Sequence, residues 1–175
     1  MSIAQPQHFP HEAFADVLSS NSHYAEGFEH TDLTGRAARG LAIVTCMDSR
    51  ISPLDIVGMQ PGDVKILRNA GARVTDDVLR TLVLATWLLN VSRILVMPHT
   101  DCRMSNGTEA EIHAAIMAES GIDPRGIEIR TVKNPLDALA TDIQRIRSYP
   151  LLPPTLVVGG ALYDVDTGKL ITQDI

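Results

Sequence analysis

Residues 40–45 read Gly-Leu-Ala-Ile-Val-Thr, a short apolar run that is followed at once by Cys46. A strand buried on both faces of a parallel sheet has this pattern, because neither face requires polar residues. Similar runs occur farther along the chain, at 63–67 and at 93–98. Between them, residues 75–89 carry apolar side chains at helical spacing behind Thr75, which can cap a first turn. The alternation predicts βαβ units.

The same alternation continues toward the end of the chain. We predict helices at 109–120 and 135–147, strands at 127–132 and 155–162, and a last strand within 163–175. The predicted fold class is α/β, with a mostly parallel central sheet of about five strands flanked by helices. Trp87 is expected in the core or in a subunit interface.

The domain organisation follows from these elements. Residues 1–175 are interpreted as a single domain, since 175 residues with 45% hydrophobic content can bury one sizeable core. Within it, 8–34 form an N-terminal helical arm outside the core, 40–162 form the βαβ core, and 163–175 supply an edge strand.

Charge and composition exclude several classes of protein. The net charge is −6 and the only lysines are Lys65, Lys133 and Lys169, so there is no basic stripe for a phosphate backbone. No apolar run reaches the ~20 residues that span a bilayer, and the first residues do not resemble a signal peptide. We expect no nucleic-acid partner, no membrane association and a cytoplasmic location.

Metal-ligating residues follow two of the predicted strands. Cys46, Asp48 and Arg50 come directly after the first strand at a spacing of two, and His99 and Cys102 follow the strand at 93–98. In open α/β sheets, sites lie outside the carboxyl ends of the strands. Two cysteines in a reducing compartment do not form a disulfide scaffold, so ligation is a natural role for them.

Two thiolates and one imidazole suit Zn²⁺, and three protein ligands leave a fourth position open, as in catalytic zinc sites. We expect one zinc ion per chain, which would make a hydroxide available near neutral pH. Arg50 would orient the Asp48 carboxylate, which would accept a hydrogen bond from that hydroxide. If Arg50 released it, Asp48 could instead become the fourth metal ligand.

Other interpretations stay open at this point. Asp48 and Arg50 could form a purely structural ion pair. A permanent Asp48 ligand would give a closed, non-catalytic zinc-stabilised module. A thiol redox protein is disfavoured, because Cys46 and Cys102 are far apart in sequence. Asp101 is expected to face solvent or to cap a helix.

Cys-x-Asp-Ser-Arg at 46–50, followed by His-Thr-Asp-Cys at 99–102, resembles the metal-binding signature of the β-class carbonic anhydrases. Arg-Asn-Ala-Gly at 68–71 is similar to the segment after the second strand of that family. The resemblance implies zinc on Cys46, His99 and Cys102, with Asp48 and Arg50 as catalytic pair or Asp48 as fourth ligand. It also implies substrate contacts at Asn69, Ala70 and Gly71.

The activity that the resemblance implies is reversible hydration of CO2 to bicarbonate and a proton, by a homodimer or a dimer of dimers. Two departures from the family pattern stand out. Residues 35–39 hold no Gln where many members have one, and Arg103-Met104 replaces Gly-Gly after the last ligand. The sequence resembles a compact subgroup that is also similar to enzymes hydrolysing CS2 or COS, so these triatomic substrates are the alternative.

Overall fold

A computed structural model describes residues 8–175. The part of the predicted domain at 1–7 lies outside the described residues. The helices are α1 (Ala15–Glu26), α2 (Pro53–Val57), α3 (Asp76–Leu88), α4 (Glu109–Ser120) and α5 (Pro135–Arg147). The strands are β1 (Leu41–Cys46), β2 (Val64–Asn69), β3 (Arg93–Met97), β4 (Val157–Tyr163) and β5 (Leu170–Gln173). Short 3₁₀ turns lie at His11–Phe14, Ala70–Ala72 and Arg103–Ser105.

The chain divides into two compact units, residues up to Thr34 and Gly35–Ile175. In the first unit, a 3₁₀ turn leads into α1, as predicted for the arm, and neither element has a buried residue. That the two units form one domain stays a prediction.

The second unit is built on a five-stranded sheet with the order β2-β1-β3-β4-β5, which confirms the predicted fold class. The last strand lies at an edge of the sheet, as expected. It pairs antiparallel with β4, whereas all other neighbouring pairs are parallel. All six residues of β1 are buried, because this strand lies inside the sheet and both faces are covered. α3 and α5 pack on one face and α2 on the other.

Local sequence signals account for the two longest helices. The Thr75 side chain accepts a hydrogen bond from Val78 N and caps α3. Asn134 caps α5, which has Pro135 in its first turn. Each helix buries one apolar stripe against the sheet.

The strand predicted at 127–132 is wrong, since the structure has no strand there. Arg130 has a positive φ of 59°, which is incompatible with an extended strand. Ile129 N donates to Glu109 Oε1, and Val132 N donates to the Met104 carbonyl. β4 occupies the free edge of β3 instead.

Trp87 is 62% exposed and donates its indole N–H to the Leu151 carbonyl. The core alternative for Trp87 is therefore wrong, and the subunit interface stays a prediction. None of the helices within residues 8–175 has the length and apolarity needed to cross a bilayer.

Candidate metal centre

Three metal-ligating side chains converge at the carboxyl ends of β1 and β3. Cys46 is the last residue of β1, and His99 and Cys102 lie in the loop after β3. These strands are neighbours although β2 lies between them in sequence, so the strand order reverses here, as it does at ligand sites of open α/β sheets. The ligand atoms of Cys46, His99 and Cys102 all lie within 4.8 Å of one another, and all three residues are buried.

The two sulfurs form the base of this cluster. Cys46 Sγ lies 3.9 Å from Cys102 Sγ and accepts a hydrogen bond from the Gly71 backbone N–H over 3.4 Å. The hydrogen bond from Cys102 lowers the pKa of Cys46 well below its ordinary value, whereas the same contact and burial raise the pKa of Cys102. Two thiolates this close repel unless a cation lies between them, so the pair favours a positive ion.

The His99 ring is oriented for ligation. Its Nδ1 lies 2.7 Å from the Thr100 carbonyl oxygen, which can only accept, so Nδ1 carries the proton and Nε2 the lone pair. Among the described residues, Nε2 is buried with no hydrogen-bond partner. The adjacent Cys46 thiolate raises the pKa of His99, because its negative charge favours the protonated ring. A backbone carbonyl on the other nitrogen is the usual arrangement of a metal-binding histidine.

This donor set fits Zn²⁺, because the ion prefers thiolate and imidazole in tetrahedral geometry. Cys46, His99 and Cys102 would hold it and leave one position open. The orphaned Nε2 supports ligation, since a buried polar atom without a partner is costly unless something unseen satisfies it.

A carboxylate and a guanidinium lie beside the cluster. The Arg50 backbone N–H and Nε both donate to Asp48 Oδ1, at 2.9 and 3.0 Å, and Nη2 donates to Oδ2 at 2.8 Å. These hydrogen bonds lower the pKa of Asp48 below its usual range. Asp48 Oδ2 is also 3.8 Å from His99 Nε2. The carboxylate therefore borders the donor set while its oxygens are directed at Arg50.

Asp101 is a second partner of this guanidinium that sequence reasoning missed. Its Oδ2 accepts from Arg50 Nη1 at 2.8 Å, and its carbonyl oxygen accepts from Nη2 at 3.1 Å. The backbone of Asp101 is left-handed, with φ 51°, a conformation that Asp tolerates better than most residues. It caps none of the described helices, although its side chain is largely exposed as expected. The position of Asp101 between His99 and Cys102 in the sequence was the signal that could have indicated this role.

Arg68 secures the loop that carries the carboxylate. Its Nε donates to the Cys46 carbonyl at 2.9 Å and its Nη2 to the Asp48 carbonyl at 2.6 Å. The end of β2 is thereby hydrogen-bonded to the backbone of both Cys46 and Asp48.

Asn69, Ala70 and Gly71 lie beside Cys46, because Asn69 is its partner in the β1–β2 register. The Asn69 side chain donates to the Arg73 carbonyl and accepts from the Arg73 backbone N–H. Its amide is thus used within the turn. Contact of these three residues with substrate stays a prediction.

The argument against a thiol redox role from sequence separation does not hold, because folding brings the sulfurs to 3.9 Å. The unsatisfied His99 Nε2 is the observation that favours a metal over a thiol pair.

Comparison with known proteins agrees with this centre. The carbonic anhydrase family model matches residues 41–123, which include Cys46, His99 and Cys102. Over 155 residues the chain is 34% identical to beta-carbonic anhydrase 1 of Mycobacterium tuberculosis, covering 89% of this chain and 94% of that relative. The chain belongs to the β-carbonic anhydrase family. As a member of this family it is an enzyme of the lyase class.

The chain is also similar to a solved carbonic anhydrase structure and to a carbon disulfide hydrolase. The crystal structure of a carbonic anhydrase from Streptococcus mutans superposes with a TM-score of 0.87 at 33% identity, covering 96% of this chain and all of that chain. The carbon disulfide hydrolase of Acidianus sp. is 31% identical over 156 residues, covering 75% of this chain and 76% of that relative. The predicted resemblance to both kinds of enzyme is confirmed.

Proposed function

We propose that this β-carbonic anhydrase family member catalyses the reversible hydration of CO2 to bicarbonate and a proton, with one zinc ion per chain held by Cys46, His99 and Cys102. The observation that carries the proposal is the buried, unpartnered Nε2 of His99, which faces two sulfurs beside an ion-paired carboxylate. Identity to beta-carbonic anhydrase 1 of Mycobacterium tuberculosis supports CO2 as substrate.

When bound, zinc supplies the Lewis acidity that makes water a nucleophile near neutral pH. Asp48 is proposed as a catalytic residue that orients the attacking water. Because Arg50 lowers the pKa of Asp48, the carboxylate stays ionised at neutral pH and acts as a hydrogen-bond acceptor rather than as a proton donor. Arg50 fixes both carboxylate oxygens, which limits the directions from which Asp48 can accept.

The alternative role of Asp48, as fourth metal ligand, requires that Arg50 give up its contacts with Asp48. The Asp101 carboxylate and carbonyl would still hold the guanidinium after that change. We retain both states as part of the proposal, with the paired state as the active one.

The proposed substrate positions are Asn69, Ala70 and Gly71. The Asn69 amide is engaged with Arg73 and the Gly71 N–H with Cys46 Sγ, so we assign the contact to the other backbone groups of Ala70 and Gly71. The segment borders Cys46, because Asn69 pairs with Cys46 in the sheet and the Gly71 N–H donates to its Sγ.

We also propose that the enzyme is a homodimer or a dimer of dimers in the cytoplasm. The arm exposes large apolar side chains, and such a surface is typical of a subunit contact. The residues concerned are Phe9, Phe14, Val17, Leu18, Tyr24, Phe28 and Leu33. A reducing compartment suits two free cysteines whose sulfurs lie close together. A monomeric profile in sedimentation velocity at micromolar concentration would contradict the oligomeric part.

The alternative substrate class is CS2 or COS. The specific support is the 31% identity to the carbon disulfide hydrolase of Acidianus sp.. Zinc-quantified protein assayed with each of the three triatomic substrates decides between them.

The main experiment is stopped-flow CO2 hydration on zinc-quantified protein. Asp48→Asn and Arg50→Gln are expected to lower kcat by about 100-fold, as for residues that orient the groups around a metal. Activity should scale with zinc content up to one ion per chain. Zinc-loaded protein without hydration would contradict CO2 as substrate, and failure to bind zinc would contradict the metal centre.

The chain offers a close control for these two variants. Asp123 and Arg125 form the same i,i+2 pair, in which the Arg125 backbone N–H and guanidinium both donate to the carboxylate. This pair is not part of the donor cluster. Asp123→Asn and Arg125→Gln should therefore leave hydration unchanged.

A further inference from the structure

A buried acid lies outside the proposed catalytic machinery. Asp142 on α5 is 3% exposed, and the other buried polar residues among those described are Thr45 and His99. Arg73 donates to both of its oxygens, through Nε at 2.7 Å and Nη2 at 3.3 Å. A buried ion pair contributes little net stability compared with apolar residues of similar size. The pair therefore calls for an explanation other than stability.

Arg73 closes a tight turn beside the metal centre. Its backbone N–H donates to Asn69 Oδ1 at 2.8 Å, and its carbonyl oxygen accepts from Asn69 Nδ2 at 2.7 Å. Between these two residues, Gly71 and Ala72 have φ angles of 78° and 58°. Such a left-handed pair is sparsely populated in a free chain and persists only where its surroundings hold it. Arg73 is one end of that clamp.

The turn has a direct contact with a proposed ligand. It directs the Gly71 N–H at Cys46 Sγ over 3.4 Å. Hydrogen bonds to a ligating sulfur orient it and modify its donation to the metal, so groups that hold such donors in place affect metal affinity. Asp142 thus holds Arg73, Arg73 and Asn69 close the turn, and the Gly71 N–H inside that turn donates to the sulfur.

We propose that Asp142, acting through Arg73, is a positioning residue of the metal centre, which fixes the turn that aims the Gly71 N–H at Cys46. The inference rests on the proposed zinc site, and it assigns to α5 a role in metal affinity. A merely structural pair would affect only the free energy of unfolding.

The test is zinc affinity of the full-length chain, measured by competition with a chromophoric chelator under reducing conditions. Arg73→Met combined with Asp142→Leu replaces the pair by apolar side chains and removes the charge imbalance that a single substitution leaves. We expect zinc Kd to rise by about 10-fold. Arg73→Lys, which keeps the ion pair but loses the bidentate fork, should give a smaller rise.

Two further measurements separate positioning from stability. Urea unfolding of metal-free protein reports stability alone, and thiolate-to-Co²⁺ absorption of cobalt-substituted protein reports the state of the ligating sulfurs. The absorption should shift in the double variant even where unfolding is unchanged. Asp76→Asn is the control. It removes a different ion pair of α5, the one between Arg145 and Asp76 at the start of α3. It should alter neither Kd nor absorption.

The outcomes are distinguishable. If the wild-type chain binds no zinc, the proposed function and this inference both fail. If wild type binds zinc and the double variant binds it with equal affinity, the inference alone is overturned. If the double variant does not fold, Arg73→Lys decides, and an unchanged Kd in that variant overturns the inference.

Discussion

Gly71→Ala tests the geometry of the turn beside the metal centre. Gly71 has φ 78°, and a Cβ built there would lie 3.3 Å from both Cβ and Cγ of Met104 and 3.4 Å from Val132 Cγ2. Met104 and Val132 are buried, so neither can move into solvent. Alanine therefore encounters two separate penalties at this position, one from its backbone conformation and one from packing.

The magnitude follows from these two contributions. The left-handed conformation costs an L-residue roughly 1–2 kcal/mol. Contacts of 3.3–3.4 Å with two buried side chains add about 1 kcal/mol, the low end for overpacking, because the neighbours need to shift only slightly. We expect a loss of about 2–3 kcal/mol, which for a chain of this length lowers Tm by roughly 4–12 °C. Zinc affinity should fall by about 10-fold, because the displaced turn carries the hydrogen bond to Cys46.

Gly58→Ala separates the two contributions. Gly58 ends α2 with φ 63°, and a Cβ built there meets nothing within 4 Å. Gly58→Ala should therefore lower the free energy of unfolding only by the roughly 1–2 kcal/mol of the left-handed conformation, with no change in zinc affinity. The assay is urea unfolding at one fixed protein concentration, with and without zinc, plus chelator competition. Equal destabilisation of the two variants, or unaltered zinc binding in Gly71→Ala, would refute the reasoning.

Three other perturbations give defined results. Gly160→Ala would place a Cβ 2.6 Å from Ile143 Cδ1 and should lower the free energy of unfolding by about 1–2 kcal/mol. In Gly159→Ala the added Cβ meets nothing within 4 Å, so the free energy of unfolding should rise by up to about 1 kcal/mol. Urea midpoints measure both changes. Zinc at about 100 times its Kd should stabilise the chain by about 2.7 kcal/mol over chelator-treated protein, seen as a Tm rise of roughly 5–11 °C, and no rise would argue against the metal centre. Hydrogen bonds from Arg50 lower the pKa of Asp48 in the folded state. The ionised Asp48 therefore stabilises the fold above its unfolded-state pKa of about 3.9, and this stabilisation is lost as pH falls toward the lower folded-state pKa. Urea midpoints of Asp48→Asn should consequently decline less steeply than wild type in that acid range, and parallel curves would contradict this linkage.

The parts of the fold that sequence predicted are those governed by local pattern. β1 was predictable because a strand covered on both faces has only apolar residues, and α3 because Thr75 and an apolar stripe mark a capped helix. The segment 127–132 has the alternating apolar residues of a half-buried strand, but its backbone N–H groups donate to the Pro124 carbonyl, to Glu109 and to the Met104 carbonyl. Pattern cannot distinguish a strand from an irregular segment that packs on a distant loop.

The same distinction applies to the candidate site. The cluster of Cys46, His99 and Cys102 could be predicted from sequence, because each part of it follows directly after a strand and local order determines where the side chains emerge. The pair of Asp48 and Arg50, two positions apart, could be named in the same way. The long-range pairs could not, since Arg50 and Asp101 are 51 positions apart and Arg73 and Asp142 are 69 positions apart. Such pairs depend on how loops and helices pack, for which a single sequence carries no periodic signal.

Sheet register links the two levels. Thr45 on β1 pairs with Met97 on β3, and its buried hydroxyl donates to the Met97 carbonyl at 2.7 Å. Thr45 directly precedes Cys46, and Met97 lies two residues before His99. On the other side of β1, Cys46 pairs with Asn69, where the turn containing Gly71 begins. Because β1 is buried on both faces, a slip of one residue would exchange the side chains of the two faces, so close packing on each face and the Thr45 hydrogen bond specify the register. The convergence of two thiols, an imidazole and a backbone N–H is therefore a consequence of the same packing that stabilises the sheet. We predict that substitutions which leave Cys46, His99 and Cys102 intact can still change zinc affinity by shifting β2 against β1.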